Sequence, residues 1–340
     1  MILPQMLQDC AHAGSILQAE PASIDSEKAF QQGASLTRQG KFAEAAPFLI
    51  AASRDAALKN AANFNLALCY VGLGEYPQAR NLLGMLRASG YHGAQVDTLL
   101  AQTYIGMHKT EDALDALKQA HALSPASERP YLFAADACTD NHAFDAGLQV
   151  TEAGLRVFPV SARLHYEHAM FLAQLDRFEE AKPEFEKASA LDQDGDIAYL
   201  SAAQEDLFQG DVKSATQRVR SGLSKGLHDA VLETLLAEIL MHGGAAPGQA
   251  EFTEVKMLLE DSVALKPGYS TAQIALGKAY LMEGRFKDAI DHLEAGRRLE
   301  PENRAVYMSL AHAYRRIGNE AEARIMLDHL QGLMQASGHY

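Results

Sequence analysis

The feature that most constrains this chain is a spacing of 34 residues. Taking Ala45 as anchor, a small residue recurs at Ala79, Ala113, Gly147, Ala181, Ala215, Val255, Ala289 and Ala323; one step is 40 residues and every other is 34. Twelve residues before the anchors stand Gly33, Ala67, Ala101, Ala135, Ala169, Ala203, Gly277 and Ala311, and Ala237 fills the slot in the longer unit. Three before the anchors, Phe42, Tyr76, Phe144, Phe178, Phe252 and Phe286 make an aromatic column, interrupted by Thr110, Val212 and Glu320. Four after them run Leu49, Leu83, Leu117, Thr151, Phe185, Val219, Leu259, Leu293 and Leu327. Pro125, Pro159, Pro267 and Pro301 each fall twelve residues after an anchor, where a helix must stop. A period of this length marks an array of one small unit, not independent globular domains.

Each unit reads as two helices. Small residues at two fixed positions let helix backbones approach closely, and the aromatic and leucine columns fill the space around that contact. Gly40, Gly74, Gly210, Gly244, Gly284 and Gly318 break the chain between the helices. A helix pair cannot bury both apolar faces alone and must stack on neighbours. The expected fold is therefore an all-α solenoid with no strand pattern.

These columns resemble the tetratricopeptide repeat. Leu276-Gly277-Lys278-Ala279-Tyr280, followed by Gly284-Arg285-Phe286-Lys287-Asp288-Ala289 and Pro301, matches the family pattern well. Nine repeats are expected at 26–59, 60–93, 94–127, 128–161, 162–195, 196–229, 230–269, 270–303 and 304–337, one array without a domain boundary. Residues 1–25 are read as an N-terminal capping helix and 338–340 as a tail. The resemblance implies a right-handed superhelix of helix-turn-helix repeats. The family's favoured Trp in the first helix is absent: Ala29, Asn63, Asp97, Tyr131, His165, Tyr199, Glu233, Gln273 and Tyr307 stand there. Asp206 and Cys138 occupy a position held by Tyr in several other repeats, and Thr151 interrupts the leucine column, so the middle repeats are expected to be the least stable.

In this family the first helix of each pair lines a concave groove, and the resemblance places the groove residues. One column contributes Phe30, Phe64, Leu132, Tyr166, Leu200 and Met308; a second contributes Leu68, Gln102, Asp136, Met170, Gln204, Glu238, Lys278 and His312. A contiguous apolar column that stacking does not need is a binding surface. The expected function is a non-enzymatic interaction scaffold holding an apolar or amphipathic peptide segment of a protein partner, with methionines as adaptable contacts. The alternative is an accessory module of a larger enzyme or cell-envelope assembly, such as secretion or polysaccharide export. The chaperone-tail clamp of the family needs Lys, Asn and Arg where Phe30, Phe64, Leu68 and Thr98 stand, and its sugar-transferase variant needs an Asn ladder that these columns lack.

Composition narrows the partner. Lys+Arg 30 against Asp+Glu 44 gives a net charge of −14, spread along the chain, which argues against a phosphate-backbone binder. No apolar run approaches the ~18 residues of a membrane span. Cys10, Cys69 and Cys138 make no disulfide framework, residues 1–25 lack the pattern of a secretory signal, and the cytoplasm is expected, or an extracytoplasmic compartment if a signal upstream of Met1 is missing. His165 and His168 fix no third metal ligand, Asp192 to Asp196 is a turn with its Gly misplaced for a calcium loop, and no phosphate loop or nucleophile elbow occurs, so no cofactor is expected. The six residues inserted around Gly243 to Gln249 extend a loop. Ile325, Leu327, Leu330, Leu333 and Met334 in the last helix suggest weak self-association through the C-terminal repeat.

Overall fold

The small-residue columns form the core. In the computed structural model, which describes residues 25–301 and 303–336, every anchor from Ala45 to Ala323 and every Gly or Ala twelve before it, Ala237 included, is buried. The N-terminal capping helix and the tail lie outside the described residues.

Among the described residues there are eighteen helices in nine antiparallel pairs, and no strand. The first three pairs are α1 (Ser26–Arg38) with α2 (Phe42–Ala52), α3 (Lys59–Gly72) with α4 (Tyr76–Ala88), and α5 (Ala94–Gly106) with α6 (Thr110–Leu123). The next three are α7 (Arg129–Asp140) with α8 (Phe144–Val157), α9 (Ala162–Gln174) with α10 (Phe178–Leu191), and α11 (Asp196–Phe208) with α12 (Val212–Ser224). The last are α13 (Ala230–His242) with α14 (Ala250–Leu265), α15 (Ser270–Met282) with α16 (Phe286–Leu299), and α17 (Arg304–Arg316) with α18 (Glu320–Ala336). The chain divides after Leu123 into two compact units, Met1–Leu123 and Ser124–Tyr340. Three pairs lie in the first unit and six in the second. Within each unit the second helix of one pair packs on the first helix of the next.

The columns divide the work of packing. The leucine column closes the pair: a Cβ on Gly33 would stand 2.7 Å from Leu49 Cγ, and one on Gly277 2.6 Å from Leu293 Cγ. The aromatic column joins consecutive pairs by reaching the residue 30 positions on. Phe42 covers Gly72, Tyr76 covers Gly106, Phe178 lies 5.2 Å from the Phe208 ring, and Arg316 stacks 4.5 Å over Phe286.

Every first helix ends alike. A residue with positive φ follows it by two positions, and the next N–H donates back five residues, as from Lys41 to Leu36 O (3.0 Å) and Lys109 to Tyr104 O (2.8 Å). This double turn satisfies carbonyls the helix end would leave bare. Glycine takes the positive-φ position in six repeats; His108 (φ 56°), His142 (51°) and Asp176 (58°) take it in the third, fourth and fifth. The seventh repeat makes the same turn, from Ala245 to Leu240 O (3.0 Å), and Ala245 is buried in the core. Of the six inserted residues, four follow in the turn and two lengthen the start of α14 ahead of Phe252.

In the slot of the absent Trp, His165, Gln273 and Tyr307 each hydrogen-bond a carbonyl upstream. His165 Nε2 lies 3.1 Å from Pro159 O, Gln273 Nε2 donates to Pro267 O (2.9 Å), and the Tyr307 hydroxyl donates to Pro301 O (2.6 Å). The side chain thus reaches back six residues and latches the carbonyl of the proline that stops the preceding helix.

Candidate functional site

The first helices of the six-pair unit enclose a cavity of about 500 Å³. Asp136 and Asp140 enter it from α7, Tyr166 and Met170 from α9, Gln204 from α11, and Leu235 and Glu238 from α13. The linkers between pairs complete the wall: Lys266 and Tyr269 precede α15, and Glu300 follows α16. A second cavity of about 320 Å³ shares Glu238, Thr271 and Glu300 with the first and adds Met241, His242, Ile274 and Lys278. The two are neighbours that share part of their wall.

Of the residues expected from the sequence, Asp136, Tyr166, Met170, Gln204 and Glu238 line the larger cavity, and Glu238 and Lys278 the smaller. Leu132 is half-buried on α7 and lines neither. Leu200, in the same column as Tyr166, is fully buried and lines neither of the two cavities. Tyr166 in the same column compromises: 4% exposed, its ring meets Phe185 edge-on at 6.0 Å while its hydroxyl bonds Gln204. Met308 is 62% exposed and His312 sits at 6.4 Å from the Phe286 ring, both outside the two cavities. In the three-pair unit Phe30, Phe64, Leu68 and Gln102 are half-buried, and Phe30 packs against the Ala29, Ala52 and Ala62 cluster.

Sequence reasoning missed the charged wall. Arg163 and Glu167 pair at 3.0 Å, one helical turn apart on α9, and Arg163 lies 5.8 Å over the Tyr166 ring. Lys266 stands 5.3 Å over the Tyr269 ring, and Glu300 is held by Ser270 and by Asn303 Nδ2 (2.6 Å). The spacing of Asp136 and Asp140 puts both on one face of α7 and was a readable signal. Lys266 and Glu300 belong to linkers, which no helix column reports. The Asp140 carboxyl is open at the mouth yet walled in by the surrounding concavity. Loss of surrounding water pushes its pKa up to about 7, helped by Asp136 and Glu300 and opposed by Lys266. Burial likewise raises Glu167 and Glu238, against the nearby Arg163 in one case and against His242 and Lys278 in the other.

Groups elsewhere are tied into structure. His165 Nδ1 meets Glu184 Oε2 at 2.5 Å, and His168 Nδ1 meets the Thr151 hydroxyl at 2.9 Å, so the two imidazoles point at different neighbours. Asp192 Oδ2 accepts the N–H of Ile197 (3.0 Å) at the start of α11. Cys138 is buried, which pushes its thiol up to about 12, and Cys69 lies 3.3 Å from the Thr37 hydroxyl. Among the described residues no group of three His, Cys, Asp or Glu is placed to hold a metal, and no helix is long and apolar enough to cross a membrane.

Comparison with known proteins bears on the repeat itself. One tetratricopeptide-repeat family model matches residues 36–103 and 281–338, and a second matches 162–194. No curated protein matches the chain. Among solved structures, YrrB, described as a TPR protein with an unusual peptide-binding site, is 19% identical over 54% of this chain and 91% of its own, with a TM-score of 0.38. The APC/C hetero-tetramer Cut9–Hcn1 is 16% identical over 91% of this chain and 80% of its own (TM-score 0.43). A tetratricopeptide repeat protein from Parabacteroides merdae is 14% identical over 75% and 98% (TM-score 0.47). The 34-residue period, the nine helix pairs and family models matched near both ends and in the middle agree: this chain belongs to the tetratricopeptide-repeat family.

Proposed function

We infer that this chain is a non-enzymatic scaffold that binds a segment of a partner polypeptide along the first helices of its six-pair unit. Tetratricopeptide repeats are interaction modules, and the observation that carries the finer reading is the larger cavity, to which α7, α9, α11, α13 and α15 all contribute. Its wall mixes Tyr166, Met170, Leu235 and Tyr269 with carboxylates and amides, which suits an amphipathic segment. A photo-crosslinking side chain at Met170 tests this against the same group at Met257, which is 59% exposed on α14. Crosslinks to a partner at Met170 and none at Met257 are expected; equal labelling at both positions overturns the reading. Weak self-association through the last repeat is a separate proposal, supported by Ile325 and Met334 at 44% and 58% exposure on α18. A sedimentation profile that stays monomeric at high concentration removes it.

A further inference from the structure

The charges of the larger cavity do not balance. Five carboxylates face it, Asp136, Asp140, Glu167, Glu238 and Glu300, against the two fixed cations Arg163 and Lys266. Arg163 is committed to Glu167 at 3.0 Å, which leaves Lys266 as the remaining fixed cation for four carboxylates; Lys278 lines the smaller cavity, and its charge acts on Glu238 from there. These acids do not share one helix. They come from α7, α13 and the linker after α16, more than 160 residues apart in the chain, and they converge on a space floored by Tyr166, Met170 and Leu235. The aromatic and aliphatic floor matters as much as the charge, because an extended aliphatic stem with a cationic head can cover the one and reach the other.

We propose that this cavity receives a lysine- or arginine-bearing segment of the partner, its alkyl stems lying on Tyr166 and Met170 and its cationic groups between Asp136, Asp140 and Glu238. This deepens the groove reading and rests on it. The charge complementarity is local. The chain as a whole carries −14, but that charge is diffuse and screened within about 8 Å at physiological ionic strength, whereas carboxylates converging on one concavity act together on a ligand inside it. The acidic excess disfavours an acidic peptide by the same reasoning.

The experiment uses the full chain and short fluorescein-labelled peptides of one Leu/Ala framework carrying Lys, Gln or Glu at the same positions, read by anisotropy at pH 8 and physiological salt. The Lys peptide is expected to bind about tenfold tighter than the Gln peptide, and the Glu peptide more weakly than either. Combined Asp136→Asn, Asp140→Asn and Glu238→Gln should abolish the Lys preference, and a far-UV circular-dichroism spectrum like that of the unaltered chain shows that the variant is folded. Combined Glu111→Gln, Asp115→Asn and Glu320→Gln, all exposed positions outside the cavity, should leave the preference intact. Equal affinity for Lys and Gln peptides, no binding of the Lys peptide, or the same loss in both triple variants overturns the proposal. Met170→Trp, which places an indole in the cavity, separates this failure from that of the groove reading. If it blocks a Gln peptide that shows no charge preference, the groove stands and the cationic ligand falls. If it leaves binding of every peptide unchanged, the groove reading falls and the proposal with it.

Discussion

Asp140 ties the charge of the larger cavity to the stability of the fold. Its pKa is raised to about 7 by desolvation in the concavity and by Asp136 and Glu300, with Lys266 opposing; His142, Arg163 and Glu167 also face this cavity. A carboxyl whose folded pKa lies above its unfolded value of about 3.9 binds more protons in the native state between those two limits. Its contribution is therefore most favourable at low pH and falls as pH rises toward 7. Asp140→Asn should raise Tm clearly more at pH 8 than at pH 5, because between about 3.9 and 7 the unfolded chain already gains by ionising this group while the folded one does not. A gain of equal size at both pH values refutes the assignment. His108 is the second case. At φ 56° its side chain occupies a region that glycine enters without cost, and six repeats use glycine there. His108→Gly is expected to stabilise the three-pair unit by about 0.5–1 kcal/mol, and Gly74→Ala to cost it a similar amount, both measurable by denaturant titration.

At the scale of the helix, what was legible in the sequence is what presses backbones together. The Gly and Ala columns, the leucines and the prolines are all constraints of local space, and they fixed pair boundaries to within a few residues. Gly277 carries this furthest, since a Cβ there would stand 2.6 Å from Leu293 Cγ and 3.2 Å from Ala289 O. Gly277→Ala should cost about 1–3 kcal/mol, as overpacking does. Equivalent slots hold Ala elsewhere, so an unchanged midpoint would mean that α15 can retreat from α16. The proline latch was not legible: it joins two columns six residues apart, and the donor changes from His165 to Gln273 to Tyr307. What persists is a hydrogen bond, not a residue type. Tyr307→Phe should cost about 1 kcal/mol by removing the donor to Pro301 O, a loss visible as a lowered Tm. No change in Tm would show that water replaces the hydroxyl.

For the whole chain, the arrangement of repeats predicts where it opens first. Stability in a stacked array is nearly a sum of terms within each repeat and between neighbours, so a weakness shared by adjacent repeats is felt locally. Three consecutive repeats carry a non-glycine residue at positive φ, at His108, His142 and Asp176, and these straddle the division after Leu123 between the two units. The fourth also replaces the column leucine by Thr151, whose hydroxyl needs Gly147 O (2.8 Å) and His168 (2.9 Å) to be satisfied in the core. Repeats seven and eight have glycine at the turn, Gly244 and Gly284, and their core is continuous from Ala237 through Leu293 to Leu330. Native-state hydrogen exchange should therefore show protection lowest in repeats three to five and highest in seven and eight, with a spread set by local opening and not by global unfolding. The combined variant His108→Gly, His142→Gly and Asp176→Gly should narrow that spread by raising protection in the middle, at roughly 0.5–1 kcal/mol per site, while leaving repeats seven and eight unchanged. Uniform protection along the wild-type chain would mean that coupling between neighbouring repeats outweighs their individual weaknesses. A variant that raises protection everywhere alike would mean that the two units unfold as one.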